Sequence, residues 1–299
     1  MRQKRYYVGV LVLLSATGVC QTPISTTFAR GTFDLSKIAA NSFQTTRAFD
    51  SSIAIELAQP TKPEHFHWKR ALWESFEFLA ISHSYLGYRD YRYVTIEGAP
   101  FNHYWRDYKT SLSTWANSGW SDGDPFLDNY IGHPIQGALT GYIQVQNDPQ
   151  GEKLEFSNSK AYWKSRFKAM LWNAAYSTQF EIGPLGEMTV EKYGNLGSWM
   201  QNGKRVTGEG QVDLVITPIG GMGWMVMEDL LDKHIARRVE GSTLNSFWIG
   251  FVRCAVNPIH GGANILHHKW PWYRASRDAA EVYYSHQMKK VANSPAAFE

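Results

Sequence analysis

The stretch Gln211–Arg238, QVDLVITPIGGMGWMVMEDLLDKHIARR, decides how the rest of the chain is read. Its apolar run from Leu214 to Met227 is interrupted by Pro218 and by Gly220, Gly221 and Gly223. A membrane span needs roughly 18 uncharged apolar residues, so this run is short, and charged residues flank it. We read it as one interrupted helix, buried or lying on a membrane surface. Asp213, Thr217, Gly220, Trp224 and Glu228 share one of its faces at helical spacing.

Inside that stretch sits TPIGG, opening at Thr217, and two related pentads occur elsewhere: HPIQG from His133 and NPIHG from Asn257. Proline has no amide hydrogen and suits the first position of a helix, and Thr or Asn before it is a good N-cap. Glycine three residues after the proline lies one turn along, where a missing side chain lets another backbone approach. Each pentad therefore describes a helix start or a kink packed closely on a neighbour. If the breaks converge, their free N–H groups and the side chains of His133, Thr217 and Asn257 would line a shared pocket.

Outward from there the pattern is helical. HWKRALWESFEFLAISHSYLG places Leu72, Phe76, Leu79, Ala80, His83 and Leu86 on one stripe. Another helix is predicted within residues 101–117. Asp124-Pro125 marks the next start, with helix resuming at His133-Pro134 and running to about Gln146. KAYWKSRFKAMLWNAAYSTQFE predicts a helix with Trp163, Phe167, Met170, Leu171, Ala174 and Thr178 inward, closed by Gly183-Pro184. Residues 187–210 read as loop, and TLNSFWIGFVRCAV as a further helix. Strand signals are few, one being Ser52–Leu57. The predicted fold is mainly α, a multi-helix bundle with kinked or interrupted helices and few short strands.

The ends suggest export. Arg2, Lys4 and Arg5 precede the apolar run Val8–Leu14, and small residues follow, the layout of a signal peptide over residues 1–20. A lipid anchor on Cys20 is the alternative, which Val19 before it fits poorly. Residues 21–66 read as an extended lead-in, 67–275 as the helical core and 276–299 as a polar tail. The chain carries 30 basic and 27 acidic residues; without Arg2, Lys4 and Arg5 the two kinds balance at 27 each, which removes electrostatic support for nucleic-acid binding. Beyond Cys20 only Cys254 remains, so the mature chain has no intrachain disulfide.

Four polar residues fall where a hydrophobe is expected: His83, His133, Glu181 and Asp213. Burying such groups singly costs several kcal/mol, so they are expected to meet one another or to open onto a cavity. A His/Glu/Asp group of this kind can do acid–base chemistry or hold a divalent cation. His133 would be the general base or a ligand, and Glu181 and Asp213 orienting or acid–base groups. No HExxH, phosphate loop or paired-cysteine site is present, and the sequence assigns no metal and no cofactor. His260 with His267-His268 reads as loop histidines, and Asp122, Asp124 and Asp128, faintly like a calcium loop, read as capping and turn residues.

Taken together, DGDPFLDNYIGHPIQGA, a helix ending in FEIGPLGE, and DLVITPIGG resemble an uncharacterised bacterial envelope-protein family, a domain of unknown function. The resemblance spans about Trp120 to Arg238. Its motif positions fall on Asn129, His133, Pro134 and Gly137, on Glu181, and on Asp213, Thr217, Pro218, Gly220 and Gly221, and it implies location and fold more than activity. A Gly-Glu pair expected at the end of the last motif is replaced by Met225-Val226, with Glu228 two positions on. The sequence thus predicts an exported cell-envelope protein, in the periplasm or at the outer membrane, with a lipid surface or envelope proteins as partners. The alternative is a hydrolase of lipid, headgroup or cell-wall glycan built on His133, Glu181 and Asp213. His83, Asn129, Thr217, Trp224, Glu228 and Asn257 would line its pocket.

Overall fold

In the computed structural model the described residues are 65–89, 104–117, 119–122, 124–184, 186, 199–201, 204–206 and 210–277. The expected signal peptide, the lead-in with its strand at Ser52–Leu57, and the tail beyond Arg277 lie outside them. The architecture is mainly α, as the periodicity predicts. In chain order the helices are α1 (Trp68–Arg89), α2 (Tyr104–Ala116), α3 (His133–Gln146), α4 (Lys160–Ile182), α5 (Val212–Leu231), α6 (Arg237–Ser242), α7 (Ser246–Val256) and α8 (Pro258–Leu266). Two π-helical segments interrupt them, Asp128–Gly132 before α3 and Asp232–Ala236 between α5 and α6. Within the stretch read as loop, β1 (Trp199–Gln201) pairs antiparallel with β2 (Lys204–Val206), Trp199 facing Val206.

α3 is the central rod. It packs on α5, α4, α8 and α1, and every residue from Gly137 to Gln146 is buried. The core around it joins Leu139, Tyr142, Ile143 and Val145 to Ala71, Ala169, Met225, Ile259 and Ala263. The α3–α5 seam is where two pentads meet. A Cβ on Gly221 would come within 2.7 Å of the Gly137 carbonyl carbon and 2.8 Å of the Ala138 nitrogen, and one on Gly220 within 2.8 Å of the Pro134 ring. A Cβ on Gly137 would strike the Thr217 carbonyl oxygen and the Asn173 side chain. Asn173 of α4 donates to that carbonyl (3.0 Å), tying the third helix to the joint. These glycines are required by close approach of backbones.

Helix starts are capped in two ways. Ser159 accepts from Tyr162 N–H at α4, and Asn245 from Phe247 N–H at α7. The pentads differ: neither α3 nor α8 has a cap from the residue before its proline. At α8 the two free amides, Ile259 and His260, donate to the two carboxylate oxygens of Glu228 at 2.9 and 3.0 Å. Asn257, released from capping, donates to Asp232 (2.6 Å).

The helix faces differ from the expectation in one consistent direction. On α1, Leu72 and Phe76 are 57% exposed, whereas Ala71 and Glu74 are buried. On α4, Phe167 and Leu171 are exposed while Tyr162, Ser165, Arg166, Asn173 and Ser177 face inward. Polar pairing explains the rotation. Glu74 receives Asn147 Nδ2 and meets His267 Nδ1, both at 2.7 Å. Arg166 donates to Asp229, as does the Tyr162 hydroxyl, both at 2.7 Å. Turning either helix to bury its apolar stripe would strand these groups, at a cost above the roughly 1.5–3 kcal/mol that one buried hydrophobe contributes. Among the described residues many polar groups are therefore buried beside the apolar core, and large apolar side chains are left exposed.

Candidate functional site

Three chain segments deliver the centre to one end of the bundle. His133 opens α3, its backbone N–H bonded to the Asp128 carbonyl through the π turn. Glu181 sits in the last turn of α4, and Asp213 in the first turn of α5. Nδ1 of His133 lies 3.7 Å from Oε1 of Glu181 and 3.8 Å from Oδ1 of Asp213. One ligating atom from each of the three lies within 4.8 Å of the other two. Both His133 and Glu181 keep 15% of their side-chain surface open, against 6% for Asp213.

The neighbouring backbone holds this arrangement. Ser177 of α4 donates to the Asp213 carbonyl (3.2 Å), one turn from the bond that Asn173 makes to Thr217. Pro218 has no amide for the Leu214 carbonyl, so the start of α5 relies on such external bonds. The segment before the π turn is strapped to the same helix end: Gln211 N–H bonds the Gly119 carbonyl and Val212 N–H the Trp120 carbonyl. The strap brings in Asp122, a residue whose sequence context suggested only a turn. Its Oδ1 does make that turn, accepting from Asp124 N–H and from Asn129 Nδ2, each at 2.8 Å. Its carboxyl also lies in hydrogen-bonding reach of Asp213. Burial, Glu181, Asp122 and Asp124 together push the Asp213 carboxyl up to about 10.

Phe180 forms the apolar wall. The His133 ring meets it edge-on at 6.4 Å, and the His83 ring stacks on its other side at 5.1 Å. Neither ring nitrogen of His83 has a hydrogen-bond partner, and burial lowers its affinity for a proton. Of the residues expected around the pocket, His83 and Asn129 thus border the centre. Thr217 lies one turn beyond Asp213 with its carbonyl in the α3–α5 joint. Trp224 packs on the core. Glu228 and Asn257 serve the α8 start, and fifteen residues of helix place Glu228 about 22 Å from Asp213.

A second polar assembly surrounds that far end. Asp229 pairs with Arg166, Asp232 with Arg274 and Arg277, and Glu240 with Arg253. Of these, Arg166, Asp229, Asp232, Arg274 and Arg277 border a cleft that also holds His260, stacked on Tyr142 at 4.5 Å. Every acid named there has its guanidinium. The histidines read as a loop cluster also separate: His267 is buried against Glu74, and His268 is exposed.

Comparison with protein-family models, with curated proteins and with solved structures finds no match.

Proposed function

We propose that the protein is exported to the cell envelope and hydrolyses an ester-type bond of a lipid or its headgroup at a membrane surface. The convergence of His133, Glu181 and Asp213 at one end of the bundle, where His133 and Glu181 each keep 15% of the side chain open, carries this reading. An imidazole beside two carboxylates is a set of groups in which the ring takes a proton from water and the carboxylates steady the imidazolium that forms.

The surroundings favour an amphiphile over a glycan. Phe126, Leu127 and Ile131, in the segment leading to His133, are exposed at 68, 59 and 38%. That segment packs on α5, whose own exposed residues include Val215, Ile219, Met227 and Leu230. Trp120 donates to the Tyr130 hydroxyl (3.3 Å), and Tyr130 stacks on Phe126. Aliphatic side chains gain little against sugars, whereas Trp and Tyr above an aliphatic band suit a lipid interface. Val212–Ser242 is long and apolar enough to cross a membrane, yet its inward face carries Asp213, Glu228 and Asp232. We read it as lying in the interface, its charged face on the protein.

The test is release of fatty acid or headgroup from phospholipid vesicles by the purified chain, with complementation of a deletion strain alongside. His133→Ala, Glu181→Gln and Asp213→Asn each lose at least about 100-fold in rate. The packing role of the HPIQG and TPIGG glycines favours a second reading, a non-catalytic helical envelope module. A folded His133→Ala protein that complements as well as the parent decides for the module.

A further inference from the structure

We infer that His133, Glu181 and Asp213, with Asp122 beside them, form a binding site for one first-row divalent cation of the zinc or manganese kind. The inference rests on taking this centre as the working site, and it names the agent that activates water there.

The geometry comes first. Zinc-type bonds of about 2.0–2.2 Å set neighbouring donor atoms roughly 3.0–3.5 Å apart. The Nδ1–Oε1 and Nδ1–Oδ1 separations of 3.7 and 3.8 Å are already close to that. Drawing the three atoms onto a cation takes shifts of a few tenths of an ångström up to about 1 Å. Glu181, in the last turn of its helix, can supply them by side-chain rotation. The three donors come from three helices, α4 held to α5 by the Asn173 and Ser177 bonds and α3 to α5 by their glycine seam, so the remaining protein is preorganised.

The second observation is Asp213 itself. Its side chain is 6% exposed, and its Oδ1, which points at His133, has no hydrogen-bond partner. A buried carboxylate oxygen is expensive to leave so. Elsewhere among the described residues buried acids find partners for their oxygens: Asp229 in Arg166, Asp232 in Arg274, Glu240 in Arg253, and Glu228 in two backbone amides. Among the described residues no Lys or Arg pairs with Asp213 or Asp122; the ion pair recorded for Asp213 is with His133. A divalent cation satisfies the oxygen and balances the adjacent carboxyls together.

Donor chemistry selects the class. One imidazole with carboxylates suits Zn²⁺, Mn²⁺ or Fe²⁺, whereas Ca²⁺ and Mg²⁺ take all-oxygen sets. Asp122 is placed to steady Asp213 from behind, itself held by Asn129. Three protein ligands leave a coordination position for water, the arrangement of a catalytic rather than a structural site.

The experiment uses the tag-free full chain, stripped with chelator and titrated calorimetrically with Zn²⁺ and Mn²⁺ in the absence of any lipid. Co²⁺ absorption serves as a report of nitrogen and oxygen coordination. One equivalent binds, His133→Gln and Glu181→Gln weaken it at least about 100-fold, and Asp122→Asn weakens it about 10-fold. Circular dichroism checks that each variant is folded. No binding below millimolar cation, or binding unchanged in folded His133→Gln and Glu181→Gln proteins, overturns the inference. Because binding is read without substrate, a protein that takes the cation but hydrolyses nothing sinks the hydrolase proposal alone. Hydrolysis that survives chelator in a protein binding no cation sinks this one alone.

Discussion

Two alanines on one helix should move stability in opposite directions. At Gly223 a Cβ meets nothing within 4 Å, so Gly223→Ala adds helix propensity only, about 1 kcal/mol of stabilisation. At Gly221 the same methyl would lie 2.6 Å from Asn173 Nδ2, 2.7 Å from the Gly137 carbonyl carbon and 2.8 Å from the Ala138 nitrogen. Comfortable contacts are about 3.5–4.0 Å, and two of these three atoms are backbone, so α3 and α5 must part by roughly 0.8 Å. Overpacking of this kind costs about 1–3 kcal/mol, and the backbone neighbours place it at the upper end. Since the propensity gain is common to both, the variants should differ by about 2–3 kcal/mol. For a domain of this size that is about 4–12 °C in melting temperature. Denaturant and thermal melts of the two proteins in the same detergent read it directly. Equal stability of Gly221→Ala and Gly223→Ala would refute the close α3–α5 seam, and with it the argument that pentad glycines fix where His133 and Asp213 stand.

Three further outcomes are expected. Arg166→Ala removes the cation from a 2% exposed position and leaves Asp229 with tyrosine hydroxyls, so it should cost about 3–5 kcal/mol in denaturant unfolding; a loss below 1 kcal/mol would show the pair to be dispensable. Glu228 is pushed up to about 8, burial outweighing its two amide donors, so its folded value lies above its unfolded one. Its contribution is therefore complete below about pH 4.5 and disappears as pH rises through 8; Glu228→Gln should flatten that slope in stability measured from pH 5 to 8, and an unchanged slope contradicts the assignment. Phe126→Asp combined with Leu127→Asp should lower sedimentation with phospholipid vesicles several-fold at unchanged melting temperature, and undiminished binding would place the lipid contact elsewhere.

What the sequence reveals depends on how local the cause is. The inward face of α5 is legible because proline, glycine, threonine and an acid at helical spacing can hardly all face lipid or water idly. The faces of α1 and α4 are not, because periodicity arguments assume that the apolar stripe turns inward. Here Glu74 and Arg166 find buried partners, and Leu72, Phe76, Phe167 and Leu171 are displaced outward. His133, Glu181 and Asp213 stand out as polar residues on apolar stripes, and the structure brings them together. Asp122 does not stand out. Its approach to Asp213 is made by backbone bonds between Gly119–Trp120 and Gln211–Val212, some ninety residues apart, which no local pattern announces. Conversely, the shared motif of the pentads suggests one pocket, whereas the length of α5 carries Glu228 and Asn257 to the opposite end, where they build the start of α8.

The π turn at Asp128–Gly132 holds one residue more than a regular helical turn would need. Deleting a single residue there would let the segment wind continuously into α3. Since Pro134 and Gly137 are pinned against α5, the rod after the turn would stay and the chain before it would swing by about 100° about the axis. The imidazole would keep its place while Asn129 and Asp122 rotated away, so a length change of one residue would separate the acidic loop from the centre it supports and break its strap to the start of α5.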